Sequence, residues 1–192
     1  MEDESRDGRD GSATPGRAGD RRVRARAAVF LDVPDKILTL EALAERLRVR
    51  RQEGHTVVHC HGCFDLMHIG HIKHLQAARR MGDSLIVTVT PDEHVGKDEG
   101  RPVFGQDLRA ESLAALACVD FVAINRWATA AETIRLLRPH YYVKGQEFEG
   151  RVAHRPRLAA EIEALHEVGG QMRFTHEVVF SSSAILRMLR RE

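Results

Sequence analysis

The chain predicts an α/β fold: a five-stranded parallel sheet with helices on both faces. Short apolar runs alternate with stretches whose apolar residues recur at helical spacing. That alternation leaves room for a helix between successive strands, so the strands run parallel through right-handed crossovers. The chemistry-bearing segments fall just after strand ends: 62–71, 91–101, 144–147 and 180–183. Ligands of open parallel sheets bind outside those carboxyl ends.

The 192 residues, 43% hydrophobic and 30% charged, suffice for one α/β core and are short for two domains. Residues 1–26 are rich in Gly, Asp, Arg and Ser and are expected to form a disordered tail, with a single domain over 27–192. Arg21, Arg22, Arg24 and Arg26 could touch nucleic acid, but neighbouring acids nearly cancel them. A formal net charge of +1 gives no global field toward nucleic acid or membrane. No apolar run approaches the length of a bilayer span, and the polar, acidic N-terminus does not read as a signal peptide. Three cysteines, an odd number, argue against a disulfide framework and for a reducing cytoplasm.

The elements follow in order. Leu40 to Arg51 predicts a helix with Leu40, Leu43 and Leu47 on one face and Thr39 as its N-cap. Thr56 to Cys60 is the first strand and Ile69 to Met81 the next helix, ended by Gly82. Ser84 to Thr90 is strand two, Leu108 to Leu116 a helix, and Phe121 to Ile124 strand three. A helix over Ala130 to Leu137, capped by Thr129, leads to strand four at Tyr141 to Val143. Arg157 to Val168 is a helix ended by Gly169-Gly170, Met172 to Thr175 is strand five, and Ser182 to Arg190 is the last helix.

Gly62-Cys63-Phe64-Asp65-Leu66-Met67-His68-Ile69-Gly70-His71 carries the most information. It joins a strand end through a tight turn to a helix start, which presents free backbone N–H groups to a phosphate. His68 and His71 stand one helical turn apart on the same side. Gly70 between them lets phosphates approach the backbone. Asp65 fits either turn chemistry, bonding backbone N–H groups, or a direct ligand role. Cys60-His61-Gly62-Cys63 is also a CxxC, and His68, His71 and His74 repeat every three residues, which raises zinc or thiol redox chemistry. Against both, no second ligand pair stands at zinc spacing, Cys60 falls inside the strand pattern, and a turn separates the CxxC from the helix.

The segment GCFDLMHIGH, followed by LQAARRMGDSLIVTVTPDE, resembles the HxGH nucleotidyltransferase (cytidylyltransferase-like) family. RPVFGQDLRAESLAALACVDFV, YYVKG and FSSSAI are similar to three later motifs of that family, so the resemblance covers about Lys36 to Leu189. Within the family the VKG and RPV segments look closest to the sugar-phosphate adenylyltransferase domain of ADP-heptose synthase. The His71-Ile72-Lys73 wording also resembles glycerol-phosphate cytidylyltransferase.

The resemblance implies a Rossmann-like sheet and nucleotidyl transfer. A phosphate or phosphonate oxygen attacks the α-phosphorus of a nucleoside triphosphate and pyrophosphate leaves. The implied acceptor is a sugar 1-phosphate and the implied nucleotide is ATP ahead of CTP. The alternative is a CTP-dependent enzyme acting on a polyol phosphate, amino-alcohol phosphate or phosphonate, and a third reading is a catalytically silent nucleotide-binding protein. An acceptor phosphate is already ionised, so catalysis rests on positioning and charge stabilisation. His68, His71 and Lys97 are the implied catalytic residues. Gly62, Cys63, Phe64, Gly70, Arg109, Lys144, Gly145, Glu147, Ser181, Ser182 and Ser183 are the implied nucleotide-binding set. An arginine offers a bidentate fork to phosphate, and serines at a helix N-terminus a second cradle. No carboxylate cluster for a metal is evident, so Mg²⁺ is expected to arrive on the triphosphate. Family members are commonly dimers, which extends to this chain as an expectation. His61 and His176 depart from the family pattern, the first beside the motif glycine and the second before the final helix.

Overall fold

The computed structural model describes residues 32–96, 100–150, 155–178 and 180. Residues 1–26, Lys97, Ser181, Ser182, Ser183 and the helix expected over Ser182 to Arg190 lie outside the described residues. Five strands form one sheet: β1 (Val57–Gly62), β2 (Ser84–Val89), β3 (Phe121–Ile124), β4 (Tyr141–Gly145) and β5 (Gln171–Thr175). All pairs are parallel in the order β3-β2-β1-β4-β5. The helices are α1 (Val33–Lys36), α2 (Leu40–Gln52), α3 (Ile69–Arg79), α4 (Gln106–Ala114), α5 (Ala131–Leu137) and α6 (Pro156–Glu167). No helix among the described residues is long and apolar enough to cross a membrane.

Strand alternation decides what each face carries. Val58 and Cys60 of β1, Leu85, Val87 and Val89 of β2, and Val143 of β4 pack with Leu75 and Ala78 of α3 and Ala110 and Leu113 of α4. Val57, Ile86 and Phe121 point the other way, onto Leu40, Leu43 and Leu47 of α2 and Leu137 of α5. Tyr142 is buried on that same face among α5 and α6. Strand order therefore runs outward from β1 through β2 and β3 on one side and through β4 and β5 on the other. The reversal between β1 and β4 is the topological switch point, where the crevice of such a sheet opens.

The element boundaries move where non-local partners intervene. Thr39 caps α2 as expected, accepting from the Ala42 N–H at 3.2 Å. Helix α5 begins at Ala131 rather than Ala130, because the buried Glu161 carboxylate takes the Ala130 N–H at 3.2 Å. Thr129 then accepts from the Ala131 N–H at 3.3 Å. Helix α4 starts two residues earlier than its pattern suggests. Asp92 accepts from the Gln106 N–H at 3.1 Å, and the Gln106 side chain accepts from the Asp92 N–H at 3.2 Å, a cap supplied from fourteen residues away. Helix α3 stops at Arg79, where tighter turns place Arg80 and Met81 on the Ala77 and Ala78 carbonyls.

Candidate active site

A cleft opens at the carboxyl ends of β1 and β4, at the switch point. It brings together Gly62, Cys63, Phe64, His68, Gly70, His71, Lys144, Gly145 and Glu147 of the expected set. The turn after β1 is held in an uncommon shape: Phe64 has φ of +50°, in the left-handed region that a bulky residue occupies only when its surroundings enforce it. The enforcement is visible. Buried Asp65 accepts from the backbone N–H groups of Val103 at 2.7 Å and Phe104 at 3.1 Å, and pairs with Arg101. Its partners are therefore a distant loop, not the N–H groups of its own turn.

Arg109, expected in the nucleotide-binding set, is placed by the structure behind the turn, where it completes the clamp. Its side chain is 1% exposed and does not line the cleft. The guanidinium donates to the carbonyls of Phe104 at 2.9 Å, Cys63 at 2.6 Å and Thr90 at 2.8 Å, and to Asp92 at 2.5 Å. Its five donors are thus largely spent on protein acceptors, with little left for a phosphate.

His68 is the cap residue of α3 and His71 lies in its first turn. Their rings stack with centroids 3.9 Å apart and planes at 22°. Phe64 meets His71 edge-on at 5.4 Å and Phe180 meets His68 at 6.2 Å. Burial lowers the pKa of His68, and neither of its ring nitrogens has a hydrogen-bond partner among the described residues. Gly70 permits the stack: a Cβ there would lie 3.0 Å from the His68 ring and 3.2 Å from the Phe180 nitrogen. The helix start thus offers paired imidazoles beside backbone N–H groups, a setting suited to an oxyanion.

Across the cleft, Lys144 is buried at the end of β4 and donates to the His61 carbonyl at 3.0 Å. Its ammonium stands 3.5 Å from Glu161, which also accepts from the Tyr142 hydroxyl at 2.9 Å. The Glu147 carboxylate folds back over Gly145, where a Cβ would fall 2.1 Å from it. His61 bonds Thr88 at 2.9 Å and Thr90 at 3.3 Å, and His59 bonds Thr88 at 2.7 Å. Burial and then Lys144 push His61 down to about 3, so its imidazole is neutral at physiological pH. His74, bonded to Thr175 at 2.7 Å, is pushed down to about 4 for the same reasons in the same order.

His74, Phe148, Thr175 and Phe180 also line the cleft, outside the expected nucleotide-binding set. For His74 a signal existed in its three-residue spacing from His71, and for Phe180 in its place at the head of the 180–183 segment; for Phe148 and Thr175 nothing local marks them. Cys60 is buried in the core, its thiol pushed up by burial to about 12. Among the described residues no group of three or more His, Cys, Asp or Glu could hold a metal ion.

The model of the cytidylyltransferase-like family matches residues 59–188, from β1 through the motif and beyond β5. The chain belongs to the cytidylyltransferase-like family. It is accordingly a nucleotidyltransferase, and the matched span takes in the 62–71 segment at the switch point. This cytidylyltransferase-like chain is similar to the bifunctional protein HldE of Syntrophotalea carbinolica, 42% identical over 120 residues, or 62% of this chain and 24% of that protein. HldE of Geotalea uraniireducens is 38% identical over 143 residues, 73% of this chain and 28% of that protein. The chain spans about a quarter of the length of these curated relatives. A crystal structure of the lipopolysaccharide core biosynthesis protein from Thermoplasma volcanium matches with a TM-score of 0.53 and 23% identity, over 67% of this chain and 100% of that one, a likeness of fold.

Proposed function

We propose that this chain transfers a nucleoside monophosphate from a nucleoside triphosphate, ATP ahead of CTP, to a sugar 1-phosphate. An acceptor phosphate oxygen forms the new bond to the α-phosphorus. The bond from that phosphorus to the bridging oxygen breaks, and pyrophosphate leaves with its electron pair. The observation that carries the reading is the strained turn and stacked His68–His71 pair at the switch point. There the turn residues and both imidazoles line one volume, as binding a phosphoryl chain requires. Cys63 and Phe64 supply turn N–H groups, and His68 and His71 donate to oxygens whose charge grows as pyrophosphate departs. Lys97 in its glycine-flanked loop and Ser181 to Ser183 complete the phosphate contacts in this reading. Mg²⁺ enters as part of the substrate in this reading, on the triphosphate. The resemblance of the VKG and RPV segments to the adenylyltransferase domain of ADP-heptose synthase supports ATP and a sugar phosphate.

The test crosses the four nucleoside triphosphates with sugar 1-phosphates, polyol phosphates, amino-alcohol phosphates and phosphonates, reading pyrophosphate release. ATP with a sugar 1-phosphate should be the best pair. His68→Ala and His71→Ala should each lower turnover by about 10²–10³, the usual loss for one preorganised donor at developing charge. No release with any pair, or near-normal turnover in both variants, would overturn the proposal.

A further inference from the structure

A second cavity, of about 620 Å³, opens on the α5–α6 face of the sheet, behind the cleft that holds His68 and His71. That volume is in the range of small-molecule sites. The two spaces meet at His61, Gly62, Lys144 and Phe148, which line both. The second cavity also takes in Arg155 and Arg157, at the start of α6. The Arg155 guanidinium lies 4.5 Å from the centre of the Phe148 ring, and the Lys144 ammonium stands over the same ring at 5.4 Å. One aromatic ring therefore stands near two cations.

Against these cations the wall holds one carboxylate among the described residues, Glu161. It is already engaged: one oxygen accepts from the Ala130 N–H, and the other takes the Tyr142 hydroxyl and faces Lys144. The cavity's fixed charge is thus positive, with three cations to one committed carboxylate. A phosphate finds guanidinium donors there. An ammonium group finds like charge and, among the described residues, no free carboxylate.

We propose that this cavity holds the phosphorylated acceptor, with Arg155 and Arg157 on its phosphate, and that its surplus positive charge selects uncharged, hydroxylated acceptors over amino-alcohol phosphates. This deepens the nucleotidyl-transfer reading and rests on it. The junction explains the two-cavity layout. In-line displacement needs nucleophile and leaving group on opposite sides of the α-phosphorus. An acceptor entering from the α6 side, with pyrophosphate held at His68 and His71, meets that condition with the α-phosphate at Gly62 and Lys144.

Two probes that differ in one group test the charge selection: 2-hydroxyethyl phosphate and 2-aminoethyl phosphate. Their binding to the full chain is measured by calorimetry with a non-hydrolysable nucleotide present, so this arm does not depend on turnover. The hydroxyl probe should bind about tenfold or more tightly, and Arg155→Ala and Arg157→Ala should each weaken it by roughly tenfold, the scale of one charge-assisted contact. Nucleotide affinity should stay within about twofold, as expected for residues outside the triphosphate cleft. In turnover assays the same variants should raise the acceptor KM and leave the nucleotide KM unchanged. Arg157 is exposed, so its replacement leaves the fold intact and keeps the test readable. Equal binding of the two probes overturns the charge selection. A rise in nucleotide KM with an unchanged acceptor KM overturns the assignment of the cavity. Absence of pyrophosphate release by the unaltered chain, with the probe preference intact, removes the reaction and retains the anion site.

Discussion

Arg109→Ala tests whether this arginine holds the phosphate turn or the phosphate. The side chain is fully buried and its guanidinium serves three backbone carbonyls and Asp92. Alanine leaves those carbonyls without their donor, at about 1–3 kcal/mol for each acceptor that water cannot reach. Part of the sum is recovered, because the Asp92 side chain is 45% exposed and can be rehydrated. The net loss should be about 3–5 kcal/mol, the usual result of breaking a buried charged contact. For a domain of this size that corresponds to roughly 6–20 °C in Tm. Arg109→Lys should recover only part, since an ammonium cannot span carbonyls that a planar fork reaches together. The assay is ligand-free urea denaturation alongside nucleotide titration of the folded variant. An unchanged denaturation midpoint with nucleotide affinity lost by about tenfold or more would return Arg109 to the ligand and refute the strut.

Gly70→Ala should keep the fold and cut turnover by about tenfold or more, because its Cβ would press on the His68 ring at 3.0 Å; normal turnover would show the stack to be dispensable. Gly82→Ala should act on stability instead, at about 1–3 kcal/mol, since its Cβ would meet the Thr56 carbonyl at 2.9 Å and Val58 at 2.7 Å; an unchanged denaturation midpoint would refute this. Stability should fall as pH drops from about 6.5 toward 4, because His61 and His74 are held neutral in the folded chain, at about 3 and about 4, and protonate on unfolding. The folded state binds fewer protons across that window, so the slope is positive in pH, up to about 1.4 kcal/mol per unit for each imidazole. Urea midpoints at pH 7.5, 6 and 5 measure it, and equal midpoints would contradict the buried neutral state.

Much of the fold was legible because periodicity is local. The apolar runs at 57–60, 84–89 and 121–124 are strands because alternate residues meet helices on opposite faces. The phosphate turn was legible for the same reason: strand, glycine and helix start are neighbours in sequence. What spacing could not supply was the identity of distant partners. Nothing in the spacing around Arg109 points to the Cys63 carbonyl, 46 residues away in sequence, to which its guanidinium donates. Asp65 reads as turn chemistry or a direct ligand until its carboxylate is found accepting from backbone N–H groups 38 and 39 residues on. Helix α1 is one turn with no buried residue, too short to leave a periodic trace.

The uneven chemistry of the two sheet faces ties the site to the fold. Toward α3 the strands present Val58, Cys60, Val87, Val89 and Val143, an ordinary apolar layer. Toward α5 and α6, the same strands bury His59, Thr88, Tyr142 and Lys144, with Glu161 opposite. Polar groups in such a layer cost stability unless each is matched, and even a matched ion pair is often no better than apolar residues of equal volume. Packing alone therefore gives no reason for the polar layer. Its members do share one geometric property: they lead to Lys144 and His61, which stand where the two cavities join. A lysine ammonium can be kept at that depth only with a carboxylate behind it, and Glu161 is that carboxylate. Glu161→Gln should consequently cost about 3 kcal/mol in stability and disturb turnover through Lys144. Glu161→Gln combined with Lys144→Met, which removes both charges together, should regain most of the stability and none of the activity. Recovery of both would mean that the polar layer serves packing alone.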